Sequence, residues 1–301
     1  MPIENITLPD YDFLQPIQGE LKKLINLHGS VTQQLDTLFR LIANRAGPDE
    51  KIVIDTMLRQ ILKLHDSIPP LIMFGKTDVI EIVSRSILDL IFQFLFISKG
   101  DANLKALCYL YCVNRNNLAD IEKLYKPQFK EYSNYIGFNE ENSSIDEATI
   151  KQEKNRLEIL LSSSVFDKVR SHTHNDRKLL NKDWFTIADR SIGNLEQLAK
   201  RVGKDPVYQS IHRFYSRKSH SFDTVTRNFT VNKGYLSYYD VRFPFGIVRV
   251  VKVLNVVIAG FMENITKDYA SDVRDEFKKW YLDSYKPLFQ EVSKIDIHAL
   301  I

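Results

Sequence analysis

Apolar residues recur every three or four positions along most of this chain, and Gly, Pro and capping residues cut the pattern into helix-length segments. That spacing is one face of an α-helix, repeated. It leaves little room for sheet and predicts an all-α, multi-helix bundle. With 301 residues, 44% of them apolar, 18 Phe and 14 Tyr, the chain can bury a sizeable core.

The punctuation sets the elements. Residues 14–27 read as a helix stopped by Gly29, and Ser30 as the cap of another reaching Arg45. Ala46-Gly47-Pro48 stops that one and starts the next, since Pro is tolerated in a first turn. The segment "EKIVIDTMLRQILKLHDSI" closes at Pro69-Pro70, and 76–98 is the most apolar helix, ending at Gly100. Asp101 caps the helix with "LKALCYLYCVNR". A charged helix is predicted over 118–135, then a polar break, "GFNEENSSIDE". A long helix runs from near Asp146 through "KQEKNRLEILLSSSVFDKVRS". Residues 172–193 are irregular and hold Trp184, "NLEQLAKRVG" is a short capped helix, and Asp205-Pro206 opens the next. "FTVNKGYLSYY" predicts a small β-hairpin near 229–239, turning at Asn232-Lys233-Gly234. Two helices, 245–268 and 272–292, finish the chain. The expected organisation is an N-terminal helical region, 1–70, packing on a core, 71–301, as one continuous domain.

Charge localises the chemistry. A net charge of +3 excludes a uniformly basic coat for nucleic acid. Locally, Lys200, Arg201, Lys204, Arg213, Arg217, Lys218, Arg227 and Lys233 face only Asp205 and Asp223, whereas acids outnumber bases over 118–160. RNA or another phosphate-bearing ligand is therefore the expected partner of the 200–233 segment.

Inside it lies "RFYSRKSHSF", from Arg213 to Phe222. At about 100° per residue, Arg213, Ser216, Arg217 and His220 share one helical stripe, and Tyr208, His212, Ser216 and His220 form an i+4 series on the same edge. That grouping suits RNA cleavage by internal transfer, because histidine exchanges protons near neutral pH and arginine holds a phosphate with a permanent fork. A solvated, non-catalytic helix face has the same pattern, so a binding module stands beside the nuclease. Arg85 and Asp89, i and i+4 on an apolar helix, are either an intrahelical ion pair or partners of that stripe, Asp89 orienting His220 or an arginine.

The order Arg, six residues, His resembles the ribonuclease motif of the HEPN superfamily. Those all-α domains pair as homodimers, with two motifs across one cleft, and many are toxins or antiviral-defence ribonucleases. Six intervening residues is the upper end of that spacing, and Phe214 stands where the strongest motifs carry Asn or Asp. Residues 55 to 265 are also similar to an uncharacterised bacterial family of helical proteins. "VSRSILDLIFQFLFISKGDANLKALCYL", then Trp184, "NLEQLAKRVG", Tyr208, Ser216 and His220 carry that likeness. The resemblance implies a HEPN-like core and metal-independent chemistry.

Other constellations are thinner. "RSHTHND" sets His172, His174 and Asp176 in alternation, which on a strand would make a metal-dependent hydrolase the third reading. No Gly-rich phosphate loop or nucleophile elbow occurs, so no cofactor is called for. Arg249 and Lys252 either extend a basic groove or snorkel from a core helix. Cys108 and Cys112 read as buried free thiols in a reducing compartment. The N-terminus lacks a signal-peptide pattern and the apolar runs are too short or too charged to span a bilayer, which predicts a soluble, cytoplasmic protein.

Overall fold

The computed structural model describes residues 12–43, 48–124, 147–219, 229–232, 235–238, 246–268 and 270–297. Among these residues the architecture is all-α, with one antiparallel pair of short strands, Phe229–Asn232 and Tyr235–Tyr238, in the register Phe229↔Tyr238 to Asn232↔Tyr235. Lys233 and Gly234, assigned to the turn, lie outside the described residues. Contacts divide the chain into two compact units built from interleaved segments. One comprises Met1–Ala46, Ile54–Phe92 and Lys204–Ile301, the other Gly47–Val53 and Gln93–Gly203.

In the first unit the long helix Gln18–Ala43 packs against Ile68–Met73, Ile247–Asp268 and Lys286–Val292. The expected stop at Gly29 does not occur: the helix runs through Gly29 and Ser30. Leu24, Leu27, Val31, Leu35 and Leu38 are buried on one face. Each such side chain contributes on the order of 1.5–3 kcal/mol, against ~1 kcal/mol for a helical glycine. Ser30, expected as a cap, instead accepts a hydrogen bond from Trp280 Nε1 at 3.2 Å.

A polar cluster sits inside this apolar packing. The His28 and His65 rings stack with centroids 3.7 Å apart, and both side chains are fully buried. His28 Nε2 donates to the His65 carbonyl at 2.7 Å, and Asn255 Nδ2 donates to His28 Nδ1 at 3.3 Å. Thr32 Oγ1 donates to the His28 carbonyl and meets His65 Nδ1 at 2.9 Å. Burial holds His28 down at about 4 and His65 well below the usual imidazole range. Both rings are neutral at pH 7.

In the second unit, helix Ala102–Leu124 packs against Glu147–Ser162, Asp167–His172 and Trp184–Ala188. It absorbs the start of the charged helix expected at 118; the rest of that segment lies outside the described residues. The Asp101 cap forms as expected, accepting from Leu104 N at 2.9 Å. The long helix expected through Ser171 ends at Ser162. Ser162 and Ser163 hydroxyls bond back to the carbonyls of Glu158 and Leu160, offering the backbone a turn in place of another helical step. Trp184 is central here: its Nε1 donates to Gln93 Oε1 at 2.9 Å, and its ring meets those of Phe96 and Tyr109, each at 5.6 Å. Cys108 and Cys112 are free and buried, and burial pushes their thiols up to about 12 and about 11. Among the described residues no helix is long and apolar enough to cross a membrane.

Candidate functional site

The helix opened by Asp205-Pro206 reaches Ser219, but not as a uniform α-helix. Tyr208–His212 forms a π turn, followed by the α-helix Arg213–Ser219. A π turn inserts one residue into the helical ladder and shifts the phase of the next turns; such insertions concentrate at functional sites. Here it rotates His212 and Tyr215 inward and leaves Arg213 and Phe214 exposed.

His212 fixes this junction. It is 3% exposed, and its Nε2 donates to Asp89 Oδ1 at 2.5 Å. Its ring stacks on Tyr208, centroids 4.7 Å apart, and lies 6.1 Å from the Phe92 ring. Its Nδ1 is buried with no hydrogen-bond partner among the described residues. Asp89 thus engages His212, one residue before Arg213. Arg85, a turn earlier on the same helix, is half-buried. Tyr215 anchors the next turn inside, and burial, with the Glu81 charge added, pushes its phenol up.

Outside, the chain presents two arginines and an exposed aromatic ring. Arg213 Nη1 donates to Gln209 Oε1 at 3.0 Å, back along its own helix. The exposed Phe214 ring lies 5.5 Å below the Arg249 guanidinium, itself exposed on helix Ile247–Asp268. Ser216 is half-buried. His220 and the Arg217 side chain lie outside the described residues.

A protein-family model matches residues 51–235. The chain belongs to that family, a family of unknown function (DUF5677). No curated protein and no solved structure matches it. The family segment holds Asp89, His212 and Arg213, while Arg249 and the first long helix lie outside it.

The third constellation does not assemble. The chain is helical through His172, left-handed at His174 (φ 52°) and Asn175 (φ 57°), and helical again from Arg177. No strand forms over these described residues to point His172, His174 and Asp176 one way. The Asp176 carboxylate instead caps the next helix, accepting from Lys178 N and Leu179 N. Among the described residues no group of three His, Cys, Asp or Glu side chains could hold a metal ion.

Sequence reasoning set His212 in an i+4 series with Tyr208, Ser216 and His220 and assigned it no role; the structure turns it inward, while Arg213 is exposed. A histidine directly before the motif arginine was the available signal. Its partner Asp89, 123 residues away, was singled out in the sequence, but as orienting His220 or an arginine. Arg249 was weighed only as a groove or rim residue.

Proposed function

We propose that this protein is a metal-independent endoribonuclease of the HEPN type, acting as a toxin or in antiviral defence. The observation that supports the reading is the exposure of Arg213, Phe214 and Arg249, with the Arg249 guanidinium over the Phe214 ring. A single-stranded base stacks on such a face while the forks hold its phosphates. Arg213 is the phosphate clamp and His220 the general acid and base, with Ser216 and Arg217 as positioning residues. The 2′-hydroxyl attacks the adjacent phosphorus and its proton passes to a base. The 5′-oxygen leaves with a proton from an acid, giving a 2′,3′-cyclic phosphate and a 5′-hydroxyl end. His212 is too buried to touch RNA; with Asp89 it pins the helix that projects Arg213. A homodimer would bring two motifs to one RNA, so that each copy's His220 serves a shared cleft.

A non-catalytic nucleic-acid-binding module is the second reading. One observation favours it: Asp89 is bonded to His212, which is too buried to reach RNA.

Incubating labelled single-stranded RNA with the protein in EDTA separates the two. The nuclease reading expects cleavage to cyclic-phosphate ends, lost by at least 100-fold in both Arg213→Ala and His220→Ala. RNA binding without cleavage, weakened by Arg213→Ala and Arg249→Ala, establishes the binding module instead. Cleavage abolished by EDTA contradicts both.

A further inference from the structure

The second unit carries a cationic cavity that the ribonuclease reading does not use. It has a volume of about 460 Å3 and is lined by Lys99, Lys105, His172, Asp189, Arg190 and Arg201, among others. That volume falls among ligand sites, roughly 300–1,000 Å3. Four cations and a histidine surround a single carboxylate.

The carboxylate is already engaged. Asp189 Oδ1 accepts from Ser191 N at 3.0 Å and Ser191 Oγ at 2.6 Å, while Oδ2 meets Arg201 Nη2 at 3.0 Å. The Ser191 hydrogen bonds hold Asp189 below the usual carboxylate range, so it is fully ionised and still neutralises only one cation. Lys105 has a structural task. Its ammonium donates to the carbonyls of Phe96, at 2.8 Å, and Lys99, and lies 4.0 Å over the Phe96 ring. The Phe96 carbonyl lies in the last turn of helix Thr77–Ile97, where a cation meets the helix dipole. Helix capping explains Lys105 alone. The side chains of Lys99, Arg190 and His172 make no hydrogen bond or ion pair among the described residues. Burial lowers the Lys105 pKa; Arg201 and Lys99 add to that, and Asp189 and Asp101 oppose it. Lys99, Arg190, Arg201 and His172 are exposed around the cavity, so it gathers more positive charge than its own contacts use.

We propose that this cavity binds a small molecule bearing a phosphate monoester, with Arg190 and Arg201 as forks on its oxygens and Lys99 and His172 closing the charge around it. A dianionic group matches the excess of cations over the one carboxylate; a neutral ligand would leave it uncompensated, and a monocarboxylate would match it only in part. The site is independent of the Arg213 surface, and binding is measured without RNA.

Calorimetry on the full chain, using adenosine 5′-monophosphate, inorganic phosphate and adenosine as probes at low salt, tests it. The monophosphate and phosphate bind and adenosine does not. Arg190→Ala and Lys99→Ala each weaken the monophosphate about tenfold. Asp189→Asn, which keeps an oxygen for Ser191 but removes the counter-charge, tightens it several-fold; a purely structural Asp189 could not produce that gain. Equal binding of adenosine overturns the proposal, as does an unchanged affinity in Arg190→Ala. Binding of a 5′-hydroxyl oligonucleotide but of neither phosphate probe makes the patch a polyanion surface and also overturns it.

Discussion

Without the Asp89 carboxylate, the buried Nε2–H of His212 faces no acceptor, and an unpaired buried donor costs on the order of 1–3 kcal/mol. Asp89→Ala should therefore lower stability by about 2 kcal/mol in urea unfolding. Asp89→Asn, whose amide oxygen still accepts, should lose less than half of that. Equal losses would show that Asp89 acts through its charge and not through this hydrogen bond. Because the pair sits one residue before Arg213, Asp89→Ala should also reduce any RNA affinity that depends on Arg213. The motif was legible at this scale only as residue types and spacing. The outward direction of Arg213 depends on a π turn, which has no sequence signature comparable to a cap or a breaker.

Helix boundaries show where local chemistry and burial compete. Gly29 carried the usual stop signal, yet the helix continues because its apolar face is buried on either side of it. A Cβ at Gly29 meets nothing within 4 Å, and the residue is exposed and helical. Gly29→Ala should therefore stabilise the protein by about 0.5–1 kcal/mol, read as a raised urea midpoint at unchanged slope. A loss of stability would mean that the backbone there requires glycine after all. The Ser162-Ser163-Ser164 stretch is the reverse case. The apolar period suggested continuity, but the backbone turns extended at Ser163 (ψ 163°) and the helix ends at Ser162.

For the whole molecule, the stacked pair His28 and His65 makes stability sensitive to acid. Their folded pKa values lie below the unfolded value of 6.5, so the unfolded chain binds more protons as pH falls. The stabilisation is present above pH 6.5 and is lost as pH falls toward about 4, the folded value of His28. That histidine alone contributes about 1.4 kcal/mol per pH unit in this window, or about 3 kcal/mol across it. Urea unfolding at pH 7.0 and 5.0 should show the drop, and His65→Gln should make it shallower. An unchanged slope in that variant would place the acid sensitivity elsewhere, among the carboxylates.

Sequence alone determined the helical class, the Asp101 cap, the buried thiols and the basic segment around Arg213. These arise from period, capping chemistry and local charge, which act over a few residues. Only the tertiary structure decided the pairs Asp89–His212 and His28–His65, the Arg249–Phe214 contact, and the gathering of Lys99, Arg190 and Arg201 around one cavity. Those partners are far apart in sequence, and the interactions that join them arise only when packing has removed them from water or crowded their charges together.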